Sequence, residues 1–122
     1  MLEQFENQKY INLETFRKSG EGVKTPVWFV QDRDVFYVWT QADSWKAKRI
    51  RNNGNINVVP STASGEPVGE WVAAHATANE SEFALSFTKK LLRKKYGLAF
   101  FAFDLMSKLR KSTHTSLKIE FE

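Results

Sequence analysis

Val23-Lys24-Thr25-Pro26-Val27-Trp28-Phe29-Val30-Gln31, then Asp32-Arg33-Asp34, then Val35-Phe36-Tyr37-Val38-Trp39-Thr40, is the stretch whose reading decides the fold. β-Branched and aromatic residues dominate both flanks, and the three polar residues between them supply the turn chemistry that ends one strand and starts another. Residues 9–16 have the same character and run into Ser19-Gly20-Glu21-Gly22, the mark of a strand entering a hairpin. Three consecutive antiparallel strands are therefore expected over residues 9–40. Beyond them, Asn52-Asn53-Gly54-Asn55 signals a turn, residues 56–59 a short buried strand, and Ser64-Gly65-Glu66-Pro67 a turn into a strand over 68–78. Leu117, Ile119 and Phe121 alternate with Ser116, Lys118 and Glu120, as a half-buried closing strand does.

Helical spacing enters late. Residues 2–7 suit a short helix, and Asn79 followed by Glu82 resembles a capping box. Phe83, Phe87 and Leu91 then repeat with helical period up to a stop at Gly97. Residues 98–110 spread Phe100, Phe101, Phe103, Leu105, Met106 and Leu109 around a second helix, which should pack on the barrel or on a partner. The count predicts a mainly β protein with inserted helices, a six-stranded antiparallel barrel or sandwich rather than an alternating parallel sheet.

A chain of 122 residues is expected to form one domain over 1–122, with enough buried surface for a core of its own. The absence of cysteine removes disulfides and thiolate ligands and suits a reducing compartment. No stretch approaches the roughly 20 apolar residues of a membrane span, and the first residues lack signal-peptide character, so a soluble cytoplasmic protein is expected. Its 18 basic and 14 acidic residues leave a charge of +4, gathered at Lys46 to Arg51 and at Lys89 to Lys95.

Several chemistries are disfavoured. His75 and His114 are far apart and lack carboxylates at ligand spacing, so no zinc or di-iron site is expected. There is no G-x-S-x-G elbow, and Gly20 and Gly22 sit in a hairpin with no helix to follow, against any Rossmann or Walker loop. Most of the ten Phe, four Trp and three Tyr belong to packing. Trp28, Trp39, Trp45 and Trp71 lie near basic residues and also suit stacking on a flat heterocycle.

Residues 40–53 carry the chemistry. A strand ends at Thr40, Asp43 or Ser44 can cap a short basic helix, and Lys46 joins the free N–H groups at its start. Such a place attracts phosphate. A well-capped, solvated basic helix fits the same residues.

Four segments in this order, Lys24-Thr25-Pro26-Val27-Trp28-Phe29, Phe36-Tyr37-Val38-Trp39-Thr40, Ala42-Asp43-Ser44-Trp45-Lys46-Ala47-Lys48-Arg49-Ile50-Arg51 and Gly69-Glu70-Trp71-Val72, resemble the pyridoxamine-phosphate-oxidase-like split-barrel family. The branch that depends on the deazaflavin coenzyme F-420 is the nearest in pattern. The resemblance covers about residues 8–78 and implies an FMN-binding type of split barrel, a homodimer and two cofactor sites at its interface. It places the ring of FMN or coenzyme F-420 along Thr25, Pro26, Val27 and Trp28, with Trp39 and Thr40 beside it. The phosphate goes to Ser44 and Lys46, with Lys24, Lys48 and Arg49 as further cations and Trp71 reaching across from the second subunit. The implied activity is hydride transfer between the bound cofactor and a small-molecule substrate, with no side-chain acid or base needed. The pattern departs from the oxidases proper at Trp45, where they place an arginine, and no counterpart of their C-terminal substrate-binding His and Arg residues is found up to Glu122. Two other classes stay open: a non-enzymatic barrel for single-stranded nucleic acid, and a cofactor-storing or haem-binding relative without turnover. A nucleic-acid or membrane partner is not the expectation.

Overall fold

The computed structural model describes residues 2–122. A 3-10 turn, Leu2–Phe5, leads into strands β1 (Tyr10–Phe16), β2 (Gly22–Trp28), β3 (Val30–Asp32) and β4 (Val35–Gln41). Helix α1 (Trp45–Asn52), strands β5 (Asn55–Ser61) and β6 (Val72–Asn79), helices α2 (Glu82–Tyr96) and α3 (Leu98–Leu109) and strand β7 (His114–Glu120) complete the chain. All strands join one antiparallel sheet in the order β2-β1-β5-β6-β7-β4-β3, curled into a half-barrel.

The strands number seven rather than six. The run 23–31, expected as one strand, breaks at Phe29 into β2 and β3. The meander expected over residues 9–40 also does not form: β2 pairs with β1, β3 pairs with β4, and these two hairpins end up at opposite edges of the sheet. Phe29 alone links the two edges, so the sheet has to curl until they meet.

Phe29 is fully buried, and its ring packs with those of Phe5 and Phe36 at 6.2 and 5.0 Å. Around it Ile11, Leu13, Val38, Ile56, Leu117 and Ile119 fill the interior with their alternating inward faces. Because Phe29 leaves the ladder, its backbone groups need other partners. The Tyr96 hydroxyl, at the end of α2, accepts from the Phe29 N–H at 3.1 Å and shares its own proton between the carbonyls of Phe29 (2.8 Å) and Lys9 (2.6 Å). The Lys95 ammonium donates to the same Phe29 carbonyl at 2.7 Å and rests 3.7 Å from the Phe29 ring. Burial lowers the Lys95 pKa to about 8 and pushes the Tyr96 phenol far above its usual value.

The helices start close to where the sequence places them. Ser44 caps α1 by accepting from the Ala47 N–H, and Ser81 rather than Asn79 caps α2 by accepting from Ala84 N–H. Asn79 instead holds Ser81, whose N–H donates to its side chain. Gly97, at φ +60, ends α2 and begins α3, a corner that only glycine turns without strain. Of the expected face of α2, Phe83 is 81% exposed, while Thr88 and Leu92 are the buried positions.

Tyr96→Phe keeps the ring and removes the hydroxyl, leaving the Phe29 N–H without its partner. Chemical denaturation should show a loss of about 1–3 kcal/mol, the cost of an orphaned buried donor; an unchanged midpoint would mean that water takes over the bond.

Candidate functional site

The curl of the sheet brings the end of β2 beside the end of β4, with α1 below and α3 above. Between them lies a cavity of about 360 Å³. β2 contributes Pro26, Val27 and Trp28, and β4 contributes Trp39, Thr40 and Gln41. Tyr10, Lys46, Leu92 and His114 complete the walls, under Phe100 and Phe103 of α3.

Rings build most of the enclosure. Trp28 stacks on Tyr96 at 4.5 Å and 11°, and so inherits the position fixed by the Phe29 clamp. Phe103 sits 5.8 Å from Trp28 and 5.9 Å from Trp39, and Phe100 packs edge-on to Trp39 at 5.2 Å. His114 lies flat on Trp39 at 3.9 Å and 12°, where the pairing of Gln41 with His114 sets it at the start of β7. Burial, and then the Lys89 charge, hold its pKa below the usual value against the opposite pulls of Asp104 and the Ser112 backbone. It is therefore a neutral imidazole at pH 7.

Two polar groups of the residues that line this cavity lack partners among the described residues. The Trp39 Nε1–H is sealed from solvent without an acceptor. Lys46 is half-buried, and among the described residues no carboxylate or hydrogen-bond acceptor meets its ammonium. Burial, and after it the Arg49 charge, lower its pKa. A desolvated ammonium facing an aromatic cavity is a cost that a bound anion would offset.

Six of the twelve residues expected at the cofactor meet here: Pro26, Val27, Trp28, Trp39, Thr40 and Lys46. The others are placed elsewhere. Thr25 precedes the lining part of β2, and Ser44 caps α1. Lys24 lies 5.2 Å over the ring of Trp71, Lys48 lies 4.6 Å over Trp45, and Arg49 donates through Nε to Thr15 Oγ1 at 2.7 Å. The sequence did not single out Tyr10, Gln41, Leu92, Phe100, Phe103 or His114 as site residues. The all-round apolar pattern of α3 carried a trace of the two phenylalanines, whereas nothing local marks His114.

Behind the Trp39–His114 stack, Asp104 of α3 draws three cations together: Lys89 at 3.1 Å, Arg93 at 3.5 Å and Lys108 at 3.7 Å. Burial works against its charge, but the Lys89 hydrogen bond and the neighbouring cations win, and the carboxyl titrates below its usual range. This cluster ties α3, and with it Phe100 and Phe103, to α2.

No family model and no curated protein matches the sequence. Solved structures do match. The chain has the split-barrel fold of the pyridoxamine-phosphate-oxidase-like proteins. The haem storage protein HutZ of Vibrio cholerae superimposes with a TM-score of 0.73 at 16% identity, over 98% of this chain and 86% of that one. A pyridoxamine 5'-phosphate oxidase-like protein from Listeria innocua gives 0.64 at 15% identity, over 97% and 87%. An F420 reductase gives 0.64 at 14% identity, over 98% and 90%.

Asp104→Asn should loosen α3 and cost about 1–2 kcal/mol, since two of its three partners are largely exposed and screened. Because the folded-state pKa is depressed, this contribution is present above the unfolded value near pH 4 and is lost as pH falls through the lower folded value. Acid titration of wild type and variant should therefore converge at low pH; parallel curves would show that Asp104 does not carry the link.

Proposed function

We propose that the protein is an oxidoreductase that holds FMN or a deazaflavin of the coenzyme F-420 type in this cavity, between two copies of the chain. The observation that carries the reading is the half-buried, unpaired Lys46 ammonium at the edge of a cavity walled by Trp28 and Trp39. The residues present fit such a group: a flat ring system suits the aromatic walls, and its phosphate suits Lys46. The bound cofactor supplies hydride transfer to or from a small-molecule substrate. Trp28 and Trp39 orient the ring, Thr40 offers a hydroxyl beside it, and Phe100 and Phe103 exclude water. Solved structures of this fold include an F420 reductase and an oxidase-like protein, which supports the choice of cofactor class.

A homodimer completes the reading. The outer face of α3 leaves Leu98, Phe101, Leu105 and Leu109 between 50% and 86% exposed, a run of apolar side chains that a second copy would cover. A second copy seated there closes the cavity roof from outside.

A specific observation favours a second reading, a haem-holding protein without turnover. His114 is a neutral imidazole in the cavity wall, and the haem storage protein HutZ shares the fold. Titrating apo-protein with FMN, coenzyme F-420 and haemin separates the two, because only haem ligation by His114 gives a Soret shift that His114→Ala abolishes.

Lys46→Ala should weaken flavin or deazaflavin binding by about one to two decades, the equivalent of one charge-assisted contact of roughly 1.5–3 kcal/mol, with no loss of melting temperature. Equal binding by wild type and variant in fluorescence titrations would remove the phosphate assignment. For the dimer, sedimentation should find two copies in the wild type and one when Phe101→Glu and Leu105→Glu are combined. A wild-type monomer would end that part of the proposal.

A further inference from the structure

The cations expected around a single phosphate are divided by α1. Positions 48, 49 and 52 are offset by three, four and seven residues from Trp45 and so share its face of the helix, while Lys46 lies about 100° round the axis from Trp45, toward the aromatic cavity, with Arg49 at the edge between the two. The first face looks onto the β1–β2 turn, and between them is a separate groove of about 550 Å³. Phe16 and Val23, both half-buried, give it an apolar lining, and Arg17 and Lys18 bring two more cations to its rim. The turn that carries them is fixed by hydrogen bonds between Arg17 and Glu21 and between Gly20 and Arg17, both at 2.9 Å.

Among the described residues no carboxylate lines this groove. Glu21 engages Arg17 at 3.1 Å, which leaves Lys18, Lys48 and Arg49 without an acidic partner among the described residues. Arg49 holds its place by donating to the buried Thr15 hydroxyl, and its pKa is lowered by burial and by the nearby Arg17 charge. Like charges gathered in a concave site with nothing to balance them create a positive potential that attracts anions. The groove also has an aromatic wall: Trp45 is 71% exposed, so most of its ring remains open even with the Lys48 ammonium 4.6 Å from its centre. An indole of that size left in water between cations suits a ligand that combines a flat ring with phosphate.

We propose that this groove binds a mononucleotide, its base stacked on Trp45 and its phosphates among Lys18, Lys48 and Arg49. The volume suits one nucleotide, within the usual range of about 300–1,000 Å³ for small-ligand sites. A nucleic-acid strand is disfavoured, because strand-binding surfaces stack successive bases on several aromatic platforms and here Trp45 is the one exposed ring. The site is independent of the cofactor cavity and does not rest on the oxidoreductase reading.

Calorimetric titration of purified apo-protein with ADP, pyrophosphate, adenosine and two lengths of oligothymidylate tests the proposal. ADP should bind saturably and more tightly than either pyrophosphate or adenosine. Trp45→Ala should weaken ADP about tenfold and leave pyrophosphate unchanged, as loss of one base-stacking contact predicts. Lys18→Gln combined with Lys48→Gln should weaken ADP and pyrophosphate alike by about tenfold. These three side chains are exposed, so melting temperatures should stay at the wild-type value. Lys46→Ala should leave ADP binding intact while it weakens flavin binding, which keeps the two sites' fates separate. The proposal is overturned by the absence of saturable ADP binding, by ADP binding that survives the Lys18 and Lys48 substitutions, or by an oligothymidylate affinity that climbs with length past that of ADP.

Discussion

The phenol of Tyr96 holds the one residue at which the sheet changes edge. Phe29 sits between β2 and β3, which lie at opposite ends of the strand order, and its backbone can join neither ladder. One hydroxyl satisfies the Phe29 N–H and, with Lys95, its carbonyl, and also reaches Lys9 just ahead of β1. The same ring stacks on Trp28, so the constraint that closes the sheet also sets one wall of the aromatic cavity. Fold and site therefore share a single fixing point, placed at the end of α2.

Charge is handled in three different ways around this frame. Asp104 is a buried carboxylate oversupplied with cations, and it spends that surplus on fastening α3 over the cavity. Lys46 is the converse, an ammonium partly withdrawn from water with no acid to answer it. Lys18 and Lys48 are exposed and stand beside the half-buried Arg49, so repulsion among the three is partly screened and their field extends outward. The first arrangement is complete within the chain, whereas the other two gain most by meeting an anion from outside.

Much of this was legible in the residues. β-Branched and aromatic content announced β1 and β4, alternation announced β7, the Ser44 cap and the Gly97 stop bounded α1 and α2, and the split-barrel resemblance rested on motifs that fall in and beside β2, β4, α1 and the approach to β6. The break at Phe29 was not legible, because Val23 to Gln31 has strand propensity throughout and the partners that interrupt it come from residues 95 and 96. The same remoteness hid His114, which reaches the cavity only because β7 pairs with β4. The resemblance groups Lys48 and Arg49 with Lys46. Helical rotation turns Lys48 away from Lys46 and leaves Arg49 at the margin between them, a distinction that depends on which face of α1 the core claims through Ala47 and Ile50.

The place of β7 in the sheet bears on how the protein is made. It lies between β6 and β4, and it follows both of them in chain order. Until it has left the ribosome, β2, β1, β5 and β6 can form one ribbon and β4 with β3 another, with nothing to join them along the ladder. Both ribbons then show open hydrogen-bonding edges, at β6 and at β4, to whatever else is nascent nearby. Vectorial synthesis thus delays the decisive pairing until after both ribbons have emerged, and the slow step of folding should be the capture of β7 rather than the formation of either hairpin.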